Sequence, residues 1–189
     1  MDELDTDLLA ERGSYEEAEL EYRAMLDRLA ADHPDALRIR VKIADLLLRR
    51  GLRTWDELRF REEAEQEYRI VLDARLRDLG PDHPDTLTAR DKLAHALYHP
   101  ARFDEAEVEF RAVLEARTRV LGSEQLDTLA TRESLADLLA DRGRYEEAER
   151  EYRAVLRAKE RMLGTDDPAV LSTRRMLADL LLEMGKPAD

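Results

Sequence analysis

Cysteine and asparagine are both absent from the 189-residue sequence. Without a thiol, a disulfide framework, a thiolate metal site, an iron–sulfur cluster and a cysteine nucleophile are excluded. Aromatic residues are scarce, at 5%, beside 40% charged residues; this is the composition of long amphipathic helices rather than of a β-sandwich or a disordered tail. Long apolar runs are also missing, none approaching the ~20 residues needed to cross a bilayer. The opening MDELDTDLL has no basic stretch ahead of an apolar one, so no secretory leader is read there and a cytoplasmic location is expected. Positive charge is in deficit, with 31 Lys and Arg against 44 Asp and Glu and a formal net charge of −13. A surface of that sign repels phosphate backbones and anionic headgroups, so neither nucleic acid nor membrane is an expected partner. Lysine itself is rare: Lys42, Lys92, Lys159 and Lys186 are the only four, a bias read as that of a GC-rich coding sequence.

What is present is repetition. With 43% hydrophobic residues the chain can bury a core, as one domain or as an elongated array. YEEAELEYRAML from Tyr15, REEAEQEYRIVL from Arg61, FDEAEVEFRAVL from Phe103 and YEEAEREYRAVL from Tyr145 align without gaps. Their shared alanines, Ala18, Ala64, Ala106 and Ala148, are spaced 46, 42 and 42 residues apart. Between them recurs a second element: KIADLLLRRG from Lys42, KLAHALYHPA from Lys92, SLADLLADRG from Ser134 and MLADLLLEMG from Met176. Each period therefore holds two helices. Ala148, Tyr152, Val155 and Leu156 make the apolar stripe of one, with charges on its far side. Gly13, Gly51, Gly143 and Gly185 follow the first helix of each pair, where a left-handed terminal residue is expected. Pro34, Pro84 and Pro168 stand where the next helix begins, since a first-turn residue needs no N–H partner.

These residues resemble the tetratricopeptide repeat, in the 42-residue variant of kinesin light chains and many bacterial arrays, over nearly the whole chain. The family's Leu-small pair maps to Ile43-Ala44, Leu93-Ala94, Leu135-Ala136 and Leu177-Ala178. Its second-helix small residue maps to Ala18, Ala64, Ala106 and Ala148, and its aromatic to Tyr22, Tyr68, Phe110 and Tyr152. The linker LGPDHPDT stands intact at Leu79 to Thr86 and weakened at LGSEQLDT and LGTDDPAV. The resemblance implies an all-α, right-handed α-solenoid of stacked antiparallel hairpins, about nine helices. The expected organisation is one array over 1–189: a partial first repeat at 1–31, a repeat at 34–79 with an insertion at 52–59, repeats at 84–121 and 125–163, and a capping helix at 167–185.

Some features depart from the pattern. Ala18 to Pro34 is four residues shorter than Ala148 to Pro168, about one helical turn, so that hairpin is expected to be short. The insertion reads LRTWDELR, and Thr54 with Glu57 has capping-box spacing, predicting a second helix that starts near Trp55, about two turns early. Trp55, the only tryptophan, is expected to fold back onto the array, or else to project from its edge as a partner contact. The last helix carries Leu180, Leu181, Leu182 and Met184, so part of its surface is expected to lie uncovered.

Catalytic constellations are lacking. The four serines, Ser14, Ser123, Ser134 and Ser172, stand in no G-x-S-x-G elbow, and the seven glycines form no phosphate loop. The pairs Glu16-Glu17, Glu62-Glu63 and Glu146-Glu147 are read as first-turn acids matched to helix dipoles. Asp91, His95 and His99, at i, i+4 and i+8, share one helix face and could chelate a metal; a metal-free polar patch is the preferred reading. His33 and His83 are read as helix-start residues.

In tetratricopeptide arrays the first helices line the concave groove, and the resemblance implies the same here. One column then holds Asp7, Asp45, His95, Asp137 and Asp179. A second holds Glu3, Val41, Asp91, Glu133 and Arg175; a third holds Ala10, Leu48, Tyr98, Ala140 and Leu182. Together they describe an acidic trough with apolar patches and a cationic edge at Arg38 and Arg175. Such a surface suits a peptide with Lys or Arg beside an apolar anchor. The competing reading pairs these acids with neighbouring arginines, for instance Asp45 with Arg49. Where kinesin light chains carry paired asparagines, this chain has Val41-Lys42, Asp91-Lys92, Glu133-Ser134 and Arg175-Met176. The expected function is a non-enzymatic, cofactor-free interaction scaffold or adaptor for a protein or peptide partner. The alternatives are a homodimer through the terminal helices and a metal-binding accessory protein of a biosynthetic pathway.

Overall fold

Small residues at fixed repeat positions determine how the helices meet. The computed structural model describes residues 3–30, 33–54 and 56–185, and within these every regular element is helical. The α-helices are α1 (Glu3–Glu11), α2 (Tyr15–Leu26), α3 (Pro34–Gly51), α4 (Glu57–Leu79), α5 (Pro84–Leu97), α6 (Phe103–Val120), α7 (Leu126–Asp141), α8 (Tyr145–Leu163) and α9 (Pro168–Glu183). A single 3-10 turn, Pro100–Arg102, precedes α6. The expected nine helices are thus present among the described residues. The chain divides into two compact units, Met1–His99 and Pro100–Asp189. In the first, each of α1 to α4 packs on the helix that follows it; in the second, each of α6 to α8 does so.

Ala18, Ala64, Ala106 and Ala148 are fully buried, and Tyr22, Tyr68, Phe110 and Tyr152 are at most 4% exposed. The alanines let helix axes approach to the ~8–10 Å of close packing, and each aromatic fills the space beside its alanine. The Leu-small pairs complete the core: Ile43 with Ala44, Leu93 with Ala94 and Leu135 with Ala136 are all buried. Helices of 9 to 23 residues are marginal alone in water, so stability lies in these stacked contacts.

The helix starts follow their sequence signals. Proline occupies the first turn of α3, α5 and α9, and the residue before it caps the helix. His33 Nδ1 accepts from the Asp35 N–H and His83 Nδ1 from the Asp85 N–H, each at 3.1 Å. Asp167 Oδ1 plays the same part for the Ala169 N–H at 2.8 Å. Both histidines are therefore helix-start residues, in the tautomer that carries its proton on Nε2.

Three expectations need correction. Gly13, Gly143 and Gly185 have left-handed backbone, but Gly51 does not: it closes α3, and a Cβ there would stand 3.2 Å from Phe60 Cβ. Its lack of a side chain allows α3 and α4 to cross closely. The eight inserted residues are shared out by comparison with α7 and α8, two extending α3, two lengthening the loop and four extending α4. So α4 starts at Glu57, one turn early rather than two, and Thr54 forms no capping box, its hydroxyl facing the Gly51 carbonyl at 3.5 Å. Glu62 and Glu63 consequently lie one turn inside α4, whereas Glu16-Glu17 and Glu146-Glu147 are first-turn acids as read. The third concerns α5, which ends at Leu97 ahead of Pro100. Tyr98 is non-helical, so His99 does not continue the face of Asp91 and His95. Trp55, by contrast, lies outside the described residues.

Candidate interaction surface

On α1 and α3 the aspartate that follows the small residue meets two other helices. Asp7 on α1 accepts a hydrogen bond from the Tyr22 hydroxyl on α2 and bonds from Lys42 Nζ on α3 at 2.7 and 2.6 Å. Asp45 on α3 does the same one repeat later, accepting from the Tyr68 hydroxyl on α4 and from Lys92 Nζ on α5 at 2.5 Å. In both places the ammonium also stands against the tyrosine ring, 5.6 Å from the centroid of Tyr22 and 5.9 Å from that of Tyr68. The partner of Asp45 is thus a lysine on the following first helix, not Arg49 on its own.

On α7 the arrangement is incomplete. Asp137 accepts from the Tyr152 hydroxyl of α8, but the position equivalent to Lys42 and Lys92 on α9 is Met176. The electrostatics differ accordingly. Burial pushes the Asp7 carboxyl up, yet the bonds from Lys42 and Tyr22 outweigh it and the carboxyl titrates below the ordinary range. For Asp137, burial also acts upward, and with only the Tyr152 bond against it and Glu133 and Asp141 adding repulsion, the carboxyl titrates above that range.

The second column is more varied. Glu133 accepts from Lys159 Nζ at 2.7 Å and from the Thr173 hydroxyl, joining α7, α8 and α9 through side chains that are buried or nearly so. Arg175 reaches Asp179 only at 3.9 Å, with both side chains mostly exposed. Arg38 pairs with Glu3 and, at 2.9 Å, with Asp35. Asp91 lies 3.8 Å from His95 Nε2 one turn away. No group of three metal-ligating side chains occurs among the described residues. Val41, Leu48 and Tyr98 are half-buried, the last at the C-cap of α5 instead of on its helical face. Leu180 and Leu181 are buried whereas Leu182 is 67% exposed.

Sequence reasoning identified the aspartates but missed the lysines. The available signal was their scarcity: of the four lysines, the three within the described residues each reach across to a carboxylate on a neighbouring first helix. A second carboxylate network, around Glu107 and the arginines Arg111, Arg142 and Arg144 at 2.7–2.8 Å, holds α6 to the turn between α7 and α8. Burial opposes the Glu107 charge, but the bonds from Arg111 and Arg144 hold its carboxyl below the usual range.

The sequence pattern of the tetratricopeptide repeat matches residues 91–161 and 127–189, together just over half of the chain. The chain belongs to the tetratricopeptide repeat family. Solved structures similar to this tetratricopeptide protein include the nearly identical TPR-like repeats assigned to a Podosopora anserina kinesin light chain. A single-substitution variant of those repeats superposes with a TM-score of 0.77 at 21% identity, over 95% of this chain and 83% of that one. A second crystal structure of the same repeats gives 0.76 at the same identity and coverage. BtubC (BKLC) from P. vanneervenii gives 0.75 at 22% identity, over 95% of this chain and 70% of that one. At such identities the likeness shows the shared helical-repeat fold. Comparison with curated proteins found no match. Proteins with these repeats generally mediate protein–protein contact, and no described helix here is long and apolar enough to cross a membrane.

Proposed function

We propose that this protein is a non-enzymatic adaptor, acting in the cytoplasm, whose first helices present an acidic surface to a basic peptide segment of a partner protein. The observation that carries this reading is the Asp137–Tyr152 pair, which lacks the lysine that completes Asp7–Tyr22 and Asp45–Tyr68. The exposed Asp179 adds negative charge on α9, and the exposed Leu182 supplies an apolar contact. Peptide-library display against the wild-type protein tests the reading, with counter-selection on an Asp137→Asn, Asp179→Asn variant whose helicity is checked by circular dichroism. Enrichment of motifs pairing Lys or Arg with an apolar residue, lost on the variant, is the expected outcome. Selection of acidic motifs, or motifs indifferent to the substitutions, contradicts it.

Self-association is a second reading, supported by a different surface. A cavity of about 340 Å³ between α8 and α9 is lined by Leu156, Leu177, Ala178 and Leu181 with Arg153, Arg157, Arg174 and Glu160 around them. Sedimentation distinguishes the two: a species of twice 21.9 kDa that Ala178→Glu converts to monomer supports a homodimer through this face, and a monomer at all concentrations rejects it.

A further inference from the structure

First helices of this chain receive a second helix in a fixed way. On α7, Leu129 is buried in a cluster with Val155 and Ala158 of α8, and Arg132 stands 3.5 Å from Glu151 of the same helix. On α3, Arg40 takes the equivalent place and pairs with Glu67 of α4 at 2.6 Å. The covering helices carry these groups at one spacing, Ala-x-x-Glu-x-x-x-Val-x-x-Ala, which runs from Ala64 to Ala74, from Ala106 to Ala116 and from Ala148 to Ala158.

The receiving pattern is repeated on α9. Leu129, Arg132 and Ala136 of α7 correspond, 42 residues on, to Leu171, Arg174 and Ala178, and steps of three and four place these with Leu181 on one helix face. Among the described residues no second helix covers that face. Leu129 is 1% exposed and Leu171 49%, and Ala136 is fully buried where Ala178 is half-buried. Arg174 turns back to Glu160 of α8 at 2.7 Å, in an exposed pair. Beside it lies the 340 Å³ cavity between α8 and α9, where Leu156, Leu177 and Leu181 are bordered by three arginines and the single carboxylate of Glu160.

From this internal comparison we infer that the open face of α9 docks an amphipathic helix of a partner protein, one that carries the same Ala-x-x-Glu-x-x-x-Val-x-x-Ala spacing. Its valine and second alanine pack on Leu171, as Val155 and Ala158 pack on Leu129, and its glutamate pairs with Arg174. The charges are complementary, since three arginines beside one glutamate favour an incoming carboxylate, and Arg174 gives up only an exposed pair to meet it. Leu171 and Ala178 then gain the burial that Leu129 and Ala136 already have. A second copy of this chain is the poorer occupant, because α2, α4, α6 and α8 each already pack on a first helix of their own chain. Neither Asp137 nor Asp179 takes part, so the docking face is separate from the acidic surface proposed above.

The probe is a peptide of the α8 sequence, residues 145–163, acetylated and amidated, which supplies that spacing in trans. It is titrated into the full chain and followed by two-dimensional amide NMR. Saturable shifts centred on Leu171, Arg174 and Ala178 are expected. A peptide with Glu151→Arg should bind the wild type at least about threefold more weakly, and protein with Arg174→Glu should reverse that preference, its helicity checked by circular dichroism. The Asp137→Asn, Asp179→Asn protein should bind the peptide as the wild type does, so failure of this docking and failure of the acidic-surface reading are separate results. No saturable response, shifts centred elsewhere, dependence on Asp137 or Asp179, or a peptide preference that Arg174→Glu leaves unchanged would each overturn the inference. So would a dimer in sedimentation that Ala178→Glu converts to monomer and the peptide does not dissociate, since that assigns the face to a second copy.

Discussion

A carboxylate, a phenol and an ammonium meet where three helices pass at Asp7, whereas Asp137, more deeply buried and without the ammonium, shifts in the opposite direction. Asp7, with Lys42, titrates below the ordinary carboxylate range; its contribution to stability is present above that range and is lost as pH falls through the lowered folded value. Asp137, without a lysine, titrates above it; folding favours its protonated form, so its contribution is present at acid pH and is lost as pH rises through the raised value. Asp7→Asn is therefore expected to destabilise at pH 7, by no more than ~1 kcal/mol since the pair is part-exposed, and Asp137→Asn to stabilise. Both effects should shrink on acidification, and urea denaturation at two pH values reads their signs. Thr128 gives a further case: its hydroxyl is fully buried with no hydrogen-bond partner, and the equivalent residue Val170 is buried too. Thr128→Val should stabilise by about 1 kcal/mol, the cost of an unsatisfied buried hydroxyl; a loss in the same denaturation assay would contradict this.

Among the helices, both ends and crossings are decided by single residues. Gly51→Ala has two opposing consequences, since alanine is the better helix former by ~1 kcal/mol while its Cβ would press on Phe60 Cβ at 3.2 Å. Overpacking of this kind costs ~1–3 kcal/mol, and Phe60 Cβ, held by its own helix backbone, has little room to yield. A net destabilisation of about 1 kcal/mol is expected by thermal denaturation. At the start of α5, His83 caps through an unprotonated Nδ1. His83→Ala should cost ~1 kcal/mol, and His83→Asp should retain stability because Asp167 already caps α9 in the same geometry. The two histidine caps lie in a recurring DHPD motif and were legible as helix starts. The end of α5 was not, because it requires Pro100 to prevail over a helical pattern that runs on through Tyr98 and His99.

For the molecule as a whole, the charge of −13 bears on association. Binding of a basic peptide should weaken steeply from low salt to about 0.5 M, where the screening length falls to a few ångströms, and an acidic peptide of equal length should not bind. Salt-independent affinity in calorimetry would indicate apolar docking instead. The repeat period, the helix pairs, the buried alanines and aromatics and the proline-led helix starts were all determined by the sequence alone, because each depends on spacing within one or two neighbouring helices. The division of the insertion between α3, loop and α4 depended on how closely Gly51 lets two helices cross, which no local spacing encodes. The fate of the aspartates likewise depended on side chains brought together from three helices. Asp7, Asp45 and Asp137 are alike in sequence context; tertiary packing gives the first two a lysine from the next first helix and gives the third Met176. A charge is satisfied or left open by what stands within a few ångströms of it, and for residues 35 to 47 positions apart only the folded chain brings them within that distance.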